Sequence, residues 1–194
     1  MASQRALFVI DIQNELIRDP ETRIANPERI TQASEEILKV ARSILDLNSS
    51  GTSRASPALL VFVQHEESPP EGTMLRGSKP WELFFPPRES RDDEILVAKT
   101  TRDTFASNPD LAARLRNKGI SELVVLGLQS ECCVEATCMG ALAAGFGVTL
   151  LSGAHSTYDS DEKKAVQIER EVQLRLSTRG ARIVPWEKEI STWA

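Results

Sequence analysis

The stretch that most constrains this chain runs from Glu122 to Gly147. It opens with Leu123 to Leu126, a short β-branched apolar run closed by Gly127, which reads as a buried parallel strand. From about Glu131 the spacing turns helical. Cys133, Thr137, Gly140 and Ala144 recur three or four residues apart on one small-residue face, and Gly145 is placed to end the helix. A strand, a tight turn and such a helix bring the first helical residues to the carboxyl edge of a sheet, where open α/β folds bind ligands. Cys132 and Cys133 fall there. Backbone N–H groups and the positive end of the helix dipole favour a thiolate at that place, and the same N–H groups can receive an oxyanion. An inert packed cysteine fits the pattern equally, because free cysteine behaves as a small hydrophobe.

The rest of the chain alternates short apolar runs with helical periods. Ala6 to Ile10 reads as a central strand ending at Asp11. Asn26-Pro27-Glu28 starts a helix that keeps its period from Ile30 through Ala33, Ile37, Val40, Ala41 and Ile44 to Leu45. Ser49 to Pro57 is a polar connection, and Ala58 to Val63 is a second strand leading into Gln64-His65-Glu66. Residues 67 to 92 form the longest connection; Trp81, Phe84 and Phe85 argue that it is ordered over a pocket, as a lid or a subunit contact. Glu94 to Ala98 is a third strand leading into Lys99, and Asn108-Pro109 caps a short helix closing at Gly119. After the cysteine helix come a strand over Gly147 to Leu151, a turn from Ser152 to Asp159, a surface helix over Asp161 to Thr178 and a last strand over Arg182 to Val184. This order predicts an α/β, three-layer Rossmann-like fold: a six-stranded parallel sheet flanked by helices, with right-handed crossovers. A length of 194 residues fits a single domain over 1–194.

Charge and cysteine usage narrow the partners. Three cysteines, two of them adjacent, cannot make a disulfide framework, which points to a reducing compartment. The N-terminal Met-Ala-Ser-Gln-Arg carries no apolar signal run, and no segment is long enough to span a bilayer, so a cytoplasmic protein is expected. A net charge of −5 with scattered basic residues offers no footprint for nucleic acid or an anionic membrane. A small molecule is the expected partner.

Asp11, Lys99 and Cys133 each follow a predicted strand, and in a parallel sheet all carboxyl ends share one edge, so the three converge. Each has a bland reading: Asp11 as a turn cap, Lys99 as a solvated strand end, Cys133 as packing. Together they make an acyl-transfer site in which Asp11 takes the cysteine proton, Lys99 holds the thiolate by charge and Cys133 attacks a carbonyl carbon. The backbone N–H groups of Cys133 and Gln129 would bind the oxyanion.

At these residues the chain resembles the isochorismatase-like cysteine hydrolases, a superfamily that includes nicotinamidases and related amidohydrolases. The resemblance covers nearly the whole chain. It rests on Phe8-Val-Ile-Asp11-Ile-Gln13-Asn14, on Val97-Ala-Lys99-Thr100 with Phe105 downstream, and above all on Gly127-Leu-Gln-Ser-Glu-Cys-Cys133-Val134-Glu-Ala-Thr137. It implies the same aspartate, lysine and cysteine as the triad, hydrolysis of a C–N bond in a small carboxamide, no cofactor, and assembly as a homodimer or homotetramer. It also implies a cis peptide between Leu128 and Gln129, and it is the family spacing as much as physics that favours Cys133 over Cys132 as nucleophile. Gln13, His65, Trp81, Glu82, Phe105 and Ser130 are the expected substrate contacts; Ser130 stands where the family has threonine and keeps the hydroxyl.

Nicotinamidase-like members build a metal site from Asp-x-His after the second strand plus further histidines. Here that stretch is Gln64-His65-Glu66, and His65 and His155 are the only histidines, so no zinc or iron is expected. His155 reads as a hydrogen-bonded structural residue. Cys132, about 100° around a helix from its neighbour, reads as packing. Glu82 could select a polar or cationic substrate, and Trp81 and Phe84 could equally be packing. Two other functions compete with the amidase: hydrolysis of an isochorismate-type vinyl ether, which needs no cysteine, and a non-catalytic binding protein on the same fold. A redox sensor using Cys132 and Cys133 is a further reading.

Overall fold

Six apolar segments pair side by side because each is buried on both faces and must satisfy its backbone within the sheet. The computed structural model describes residues 4–47, 55–70 and 72–193. Its strands are β1 (Gln4–Ile10), β2 (Pro57–His65), β3 (Glu94–Lys99), β4 (Ile120–Leu128), β5 (Gly147–Ser156) and β6 (Arg182–Pro185). They form one sheet in the order β3-β2-β1-β4-β5-β6, every pair parallel. The helices are α1 (Asn14–Ile17), α2 (Pro27–Leu47), α3 (Thr104–Ser107), α4 (Leu111–Asn117), α5 (Glu135–Ala143), α6 (Ala165–Thr178) and α7 (Trp186–Ile190). This is the α/β architecture expected, a parallel sheet between helices.

Period-two alternation along the central strands splits the core. Phe8, Val61 and Val125 face one layer with Leu111, Val134 and Leu176, while Leu7, Leu60 and Val124 face the other with Ile30, Ile37 and Trp193. Central β1 is wholly buried from Arg5 onward, which is why it reads as an unbroken apolar run rather than an alternating one.

Several boundaries differ from the sequence reading, each for a local reason. The turn expected over Ser152 to Asp159 is largely strand. While β4 advances from Val125 to Gly127, its β5 partner moves from Leu150 to His155, so β5 bulges and then resumes pairing as far as Ser156. The helix expected from Asp161 begins at Ala165, where the Asp159 carboxylate accepts the Ala165 N–H and the Gln167 side chain accepts the Lys164 N–H. Asn108 does not cap α4. Its side-chain amide instead donates to the Ala98 and Thr104 carbonyls, closing the short α3 that periodicity did not announce. The polar connection expected over Ser49 to Pro57 falls outside the described residues up to Arg54, as do the first three residues of the N-terminal stretch.

The long 67–92 connection is fastened to the carboxyl end of β1. Leu83 bridges Gln13, the Phe84 N–H donates to the Ile12 carbonyl at 2.8 Å, and the Asn14 N–H donates to the Glu82 carbonyl at 2.9 Å. Glu67 and Leu75 form a second bridge at its start.

Candidate active site

Each candidate residue is delivered by a break in regular structure at the carboxyl edge of the sheet. β1 ends in Asp11, which adopts φ 49°, a left-handed conformation that aspartate tolerates better than most side chains. β4 passes close beside it: Gly127 pairs with Ile10 at φ 131°, and a Cβ there would stand 2.1 Å from the Ile10 carbonyl oxygen. Only glycine permits that approach, and the approach sets the nucleophile turn against Asp11. A cis peptide joins Leu128 to Gln129, at the position the family resemblance implied. The turn then winds as a π-helical segment, Ser130–Val134, before α5 begins. The Gln129 carbonyl accepts from both Cys132 and Val134 N–H groups at 3.1 Å, so the segment is wider than the α-turn expected from the spacing.

The small-residue stripe explains how this segment meets the end of β3. A Cβ on Gly140 would stand 2.4 Å from the Asp103 carboxylate, so glycine lets the loop after Lys99 lie directly on α5. Thr137 completes the join: its hydroxyl accepts from the Thr104 N–H at 3.2 Å, shares a 2.9 Å bond with the Thr104 hydroxyl and reaches the Arg102 carbonyl.

The three strand ends meet at one ammonium group. Lys99 Nζ lies 2.7 Å from Asp11 Oδ2, 3.1 Å from Cys133 Sγ, 3.2 Å from His65 Nδ1 and 3.2 Å from the Thr101 carbonyl oxygen. Asp11 and Lys99 are almost fully buried, at 1% and 2% exposure. Burial works to lower the Lys99 pKa, but the Asp11 carboxylate, with the Cys133 sulfur as a further hydrogen-bond partner, outweighs it and holds Lys99 above its ordinary value. The thiol goes the other way from the helix-terminus expectation. Burial, then the Asp11 charge, push Cys133 up to about 12 against the opposing pull of Lys99. The resting site therefore holds a thiol beside a lysine–aspartate ion pair, and the helix terminus does not ionise it.

Asp11, His65, Gln129 and Cys133 line one cavity of about 180 Å³, so the nucleophile turn carrying both expected oxyanion donors opens onto it. Five expected substrate contacts lie elsewhere, each with a packing reason. Gln13 is fully buried and spends its amide on the His65 backbone and the Trp81 carbonyl. Trp81 offers the same carbonyl to Gln64 and does not line the cavity. Glu82 is exposed, receives Asn14 Nδ2 at 3.3 Å and lines a separate groove of about 400 Å³ with Arg18 and Lys79. That groove is larger but holds none of the three converging side chains. Phe105 stacks on Phe8 and tilts against Phe146 in the core. Ser130 is buried with its hydroxyl 2.8 Å from His155 Nδ1.

The cavity walls also include Leu16, Glu67, Met74 and Arg102, which the sequence reading passed over, and Cys132. Cys132 was expected to pack away from the site, but in a π-turn successive side chains diverge by less than in an α-helix, so both cysteines face the cavity. Arg102 follows Lys99 by three residues and shares its edge, a signal that was available. Glu67 and Met74 come from the long connection and carried none.

A metal does not fit these residues. His65 turns Nδ1 toward an ammonium, and His155 is held by Ser130 and by Gln173 Nε2 at 3.0 Å. Burial drives His155 down to about 3, so it stays neutral. Among the described residues no group of three or more histidine, cysteine, aspartate or glutamate side chains could hold a metal ion.

The chain is similar to several known proteins. Two streptothricin hydrolases of Streptomyces noursei are each 35% identical to the chain. One alignment spans 178 residues, 91% of this chain and 58% of the relative; the other spans 156, or 80% and 55%. The chain thus spans little more than half the length of these relatives. An isochorismatase-like hydrolase from Alkaliphilus metalliredigens superposes with a TM-score of 0.79 at 23% identity, covering 100% of this chain and 98% of that one, which shows a shared fold. Residues 5–184 match the family model described as the isochorismatase domain, and the chain belongs to the isochorismatase family.

Proposed function

We propose that this protein is a cofactor-free cysteine hydrolase that cleaves the C–N bond of a small amide through Cys133, Asp11 and Lys99. One observation carries the reading: a single buried ammonium touches both the proton acceptor and the nucleophile, at 2.7 and 3.1 Å. When Asp11 takes the thiol proton, negative charge passes from carboxylate to sulfur. Lys99 already contacts both positions, so the cation follows the charge without moving, which is the preorganisation that a transition state rewards. A thiol near 12 is not ionised in advance, so proton transfer accompanies attack.

In the first half-reaction Cys133 Sγ bonds to the carbonyl carbon, the backbone N–H groups of Gln129 and Cys133 receive the oxyanion, and collapse breaks the C–N bond. The departing nitrogen takes the proton from Asp11, leaving a thioester. In the second, water gives a proton to Asp11 and attacks the thioester. The acid product leaves, and the sulfur recovers its proton.

The cavity of about 180 Å³ suits a compact reacting end rather than a large one. The names of the two Streptomyces relatives make streptothricin the first compound to add to a panel of small amides. The test is ammonia or amine release by the wild-type protein and by Cys133→Ala, with a chelator throughout. Release that persists in chelator and vanishes in the variant is expected. No release from any amide would sink the proposal, and release surviving in Cys133→Ala would remove Cys133 as the nucleophile. Among the described residues no helix is long and apolar enough to cross a membrane. A cytoplasmic homodimer or homotetramer of one-domain subunits is part of the same reading, and light scattering on the purified protein tests the assembly.

A further inference from the structure

His65 is held in place more firmly than a surface histidine. The Gln13 side chain clamps its backbone from both directions, accepting the His65 N–H at 2.9 Å and donating to its carbonyl at 2.9 Å. The ring is then aimed by one neighbour: Nδ1 lies 3.2 Å from Lys99 Nζ. An ammonium has three donors and no lone pair, so the nitrogen facing it must be the acceptor. In a neutral ring the proton is then left to Nε2, on the opposite side, which has no partner among the described residues while the residue lines the Cys133 cavity. Charging the ring would set an N–H against that ammonium. The charged groups that act on it are Lys99, Asp11, Glu67 and Glu66, and burial together with Lys99 outweighs the three carboxylates, holding the imidazole below its ordinary value.

We propose that His65 is a hydrogen-bond donor of fixed tautomer, neutral and protonated on Nε2, which selects small amides carrying a second acceptor atom beside the scissile group. A carbonyl, a carboxylate or an unprotonated ring nitrogen would fill that place. The substrate half of this inference rests on the hydrolase reading; the tautomer does not.

The chain contains its own contrast, because His155 is its only other histidine. The Gln173 amide nitrogen donates to His155 Nε2, which leaves the proton on Nδ1, facing the Ser130 hydroxyl at 2.8 Å. The two rings should therefore be opposite tautomers.

Long-range proton–nitrogen correlation spectra of the wild-type protein decide this, since Nε2 couples to both ring-carbon protons and Nδ1 chiefly to one. Two neutral rings of opposite tautomer are expected at neutral pH, with His65 titrating below the ordinary imidazole value. A His65 proton on Nδ1, or a His65 imidazolium at neutral pH, overturns the proposal. The functional arm compares acetoacetamide, which has a second carbonyl, with butyramide, which lacks it. His65→Leu should lower the wild-type preference for acetoacetamide by about ten- to a hundredfold, mainly through KM, as expected for an acceptor left without its donor. His65→Gln, which keeps an N–H donor, should restore part of the preference. An unchanged preference in His65→Leu overturns the donor role while leaving the hydrolase reading intact. If neither amide is cleaved, acetoacetamide added to Cys133→Ala decides the donor role: a moved His65 Nε2–H resonance supports it and an unmoved one overturns it.

Discussion

The two ends of β3 both bury a carboxylate against cations, and they treat it in opposite ways. At the start, the Glu94 side chain is fully buried and saturated. Arg42 donates to it from Nε at 3.0 Å and Nη2 at 2.8 Å, and Arg88 donates from its backbone at 2.8 Å and Nε at 2.6 Å. At the far end, Lys99 Nζ lies 2.7 Å from Asp11 Oδ2, and neither side-chain oxygen of Asp11 makes a regular hydrogen bond among the described residues. Structural carboxylates fill their acceptor sites; a proton acceptor keeps one open. Burial of charge is common to both ends, and spare acceptor capacity beside a thiol is what separates them.

The largest effects should come from the open end. Cys133→Ala is expected to lower kcat by at least about a thousandfold, because loss of a nucleophile stops the shared step outright, with little change in Tm. Lys99→Met should abolish turnover and also destabilise by about 3 to 5 kcal/mol, the range for a buried charge stripped of its partner; urea unfolding reads it. A variant as stable as wild type would mean that the Lys99–Asp11 contact adds nothing net to the stability of the fold. Asp11→Asn should split two readouts. Activity falls by about two to four orders of magnitude as the proton acceptor is lost, while the Cys133 thiol pKa drops from about 12, because one of the charges raising it has gone. Thiolate absorbance against pH measures the second, and a rise would contradict the electrostatics argued for the site.

How far the sequence foretold these two ends depended on where the information lay. The open end was legible because a parallel sheet places all its carboxyl termini on one edge, so Asp11, Lys99 and Cys133 could be assembled without any distance being known. The cavity wall was legible only where it adjoins those strand ends. His65 was found, whereas Glu67 and Met74 arrive from the long connection, whose path is set by bridges such as Glu67 to Leu75 that no periodicity encodes. Gln13 was expected to touch substrate on the strength of the family resemblance, and the fold gives its amide to the His65 backbone. The π-turn was hidden too, since the spacing of Cys133, Thr137 and Gly140 fits an α-helix equally well. The saturated end gave no sign, because Glu94 reads from sequence as an ordinary polar strand start. Its partners Arg42 and Arg88 come from α2 and the 67–92 connection.

Removing the saturated carboxylate should cost stability and not chemistry. Glu94→Ala leaves Arg42 and Arg88 facing each other, but both keep partial exposure, so the loss should be about 2 to 3 kcal/mol, below that for a fully buried pair. Turnover per folded molecule should be unchanged. A fall in kcat at temperatures where the variant is fully folded would mean that the two ends of β3 are coupled.

The smallest effect is the acid dependence of that clamp. Burial works to raise the Glu94 pKa, but hydrogen bonds and charge from Arg42 and Arg88 outweigh it, so the folded value lies below the ordinary one. A depressed carboxylate stabilises the fold fully above its unfolded pKa, about 4.3, and loses that contribution as pH falls through the folded value. The wild-type unfolding free energy should therefore decline below about pH 5, and Glu94→Gln, lacking the titrating group, should decline less steeply. Asp46, which is exposed, is also lowered through Arg88 and contributes in the same direction, so the variant flattens the curve without levelling it. Parallel curves for the two proteins would mean that Glu94 titrates alike folded and unfolded, and that its four hydrogen bonds do no more than replace water.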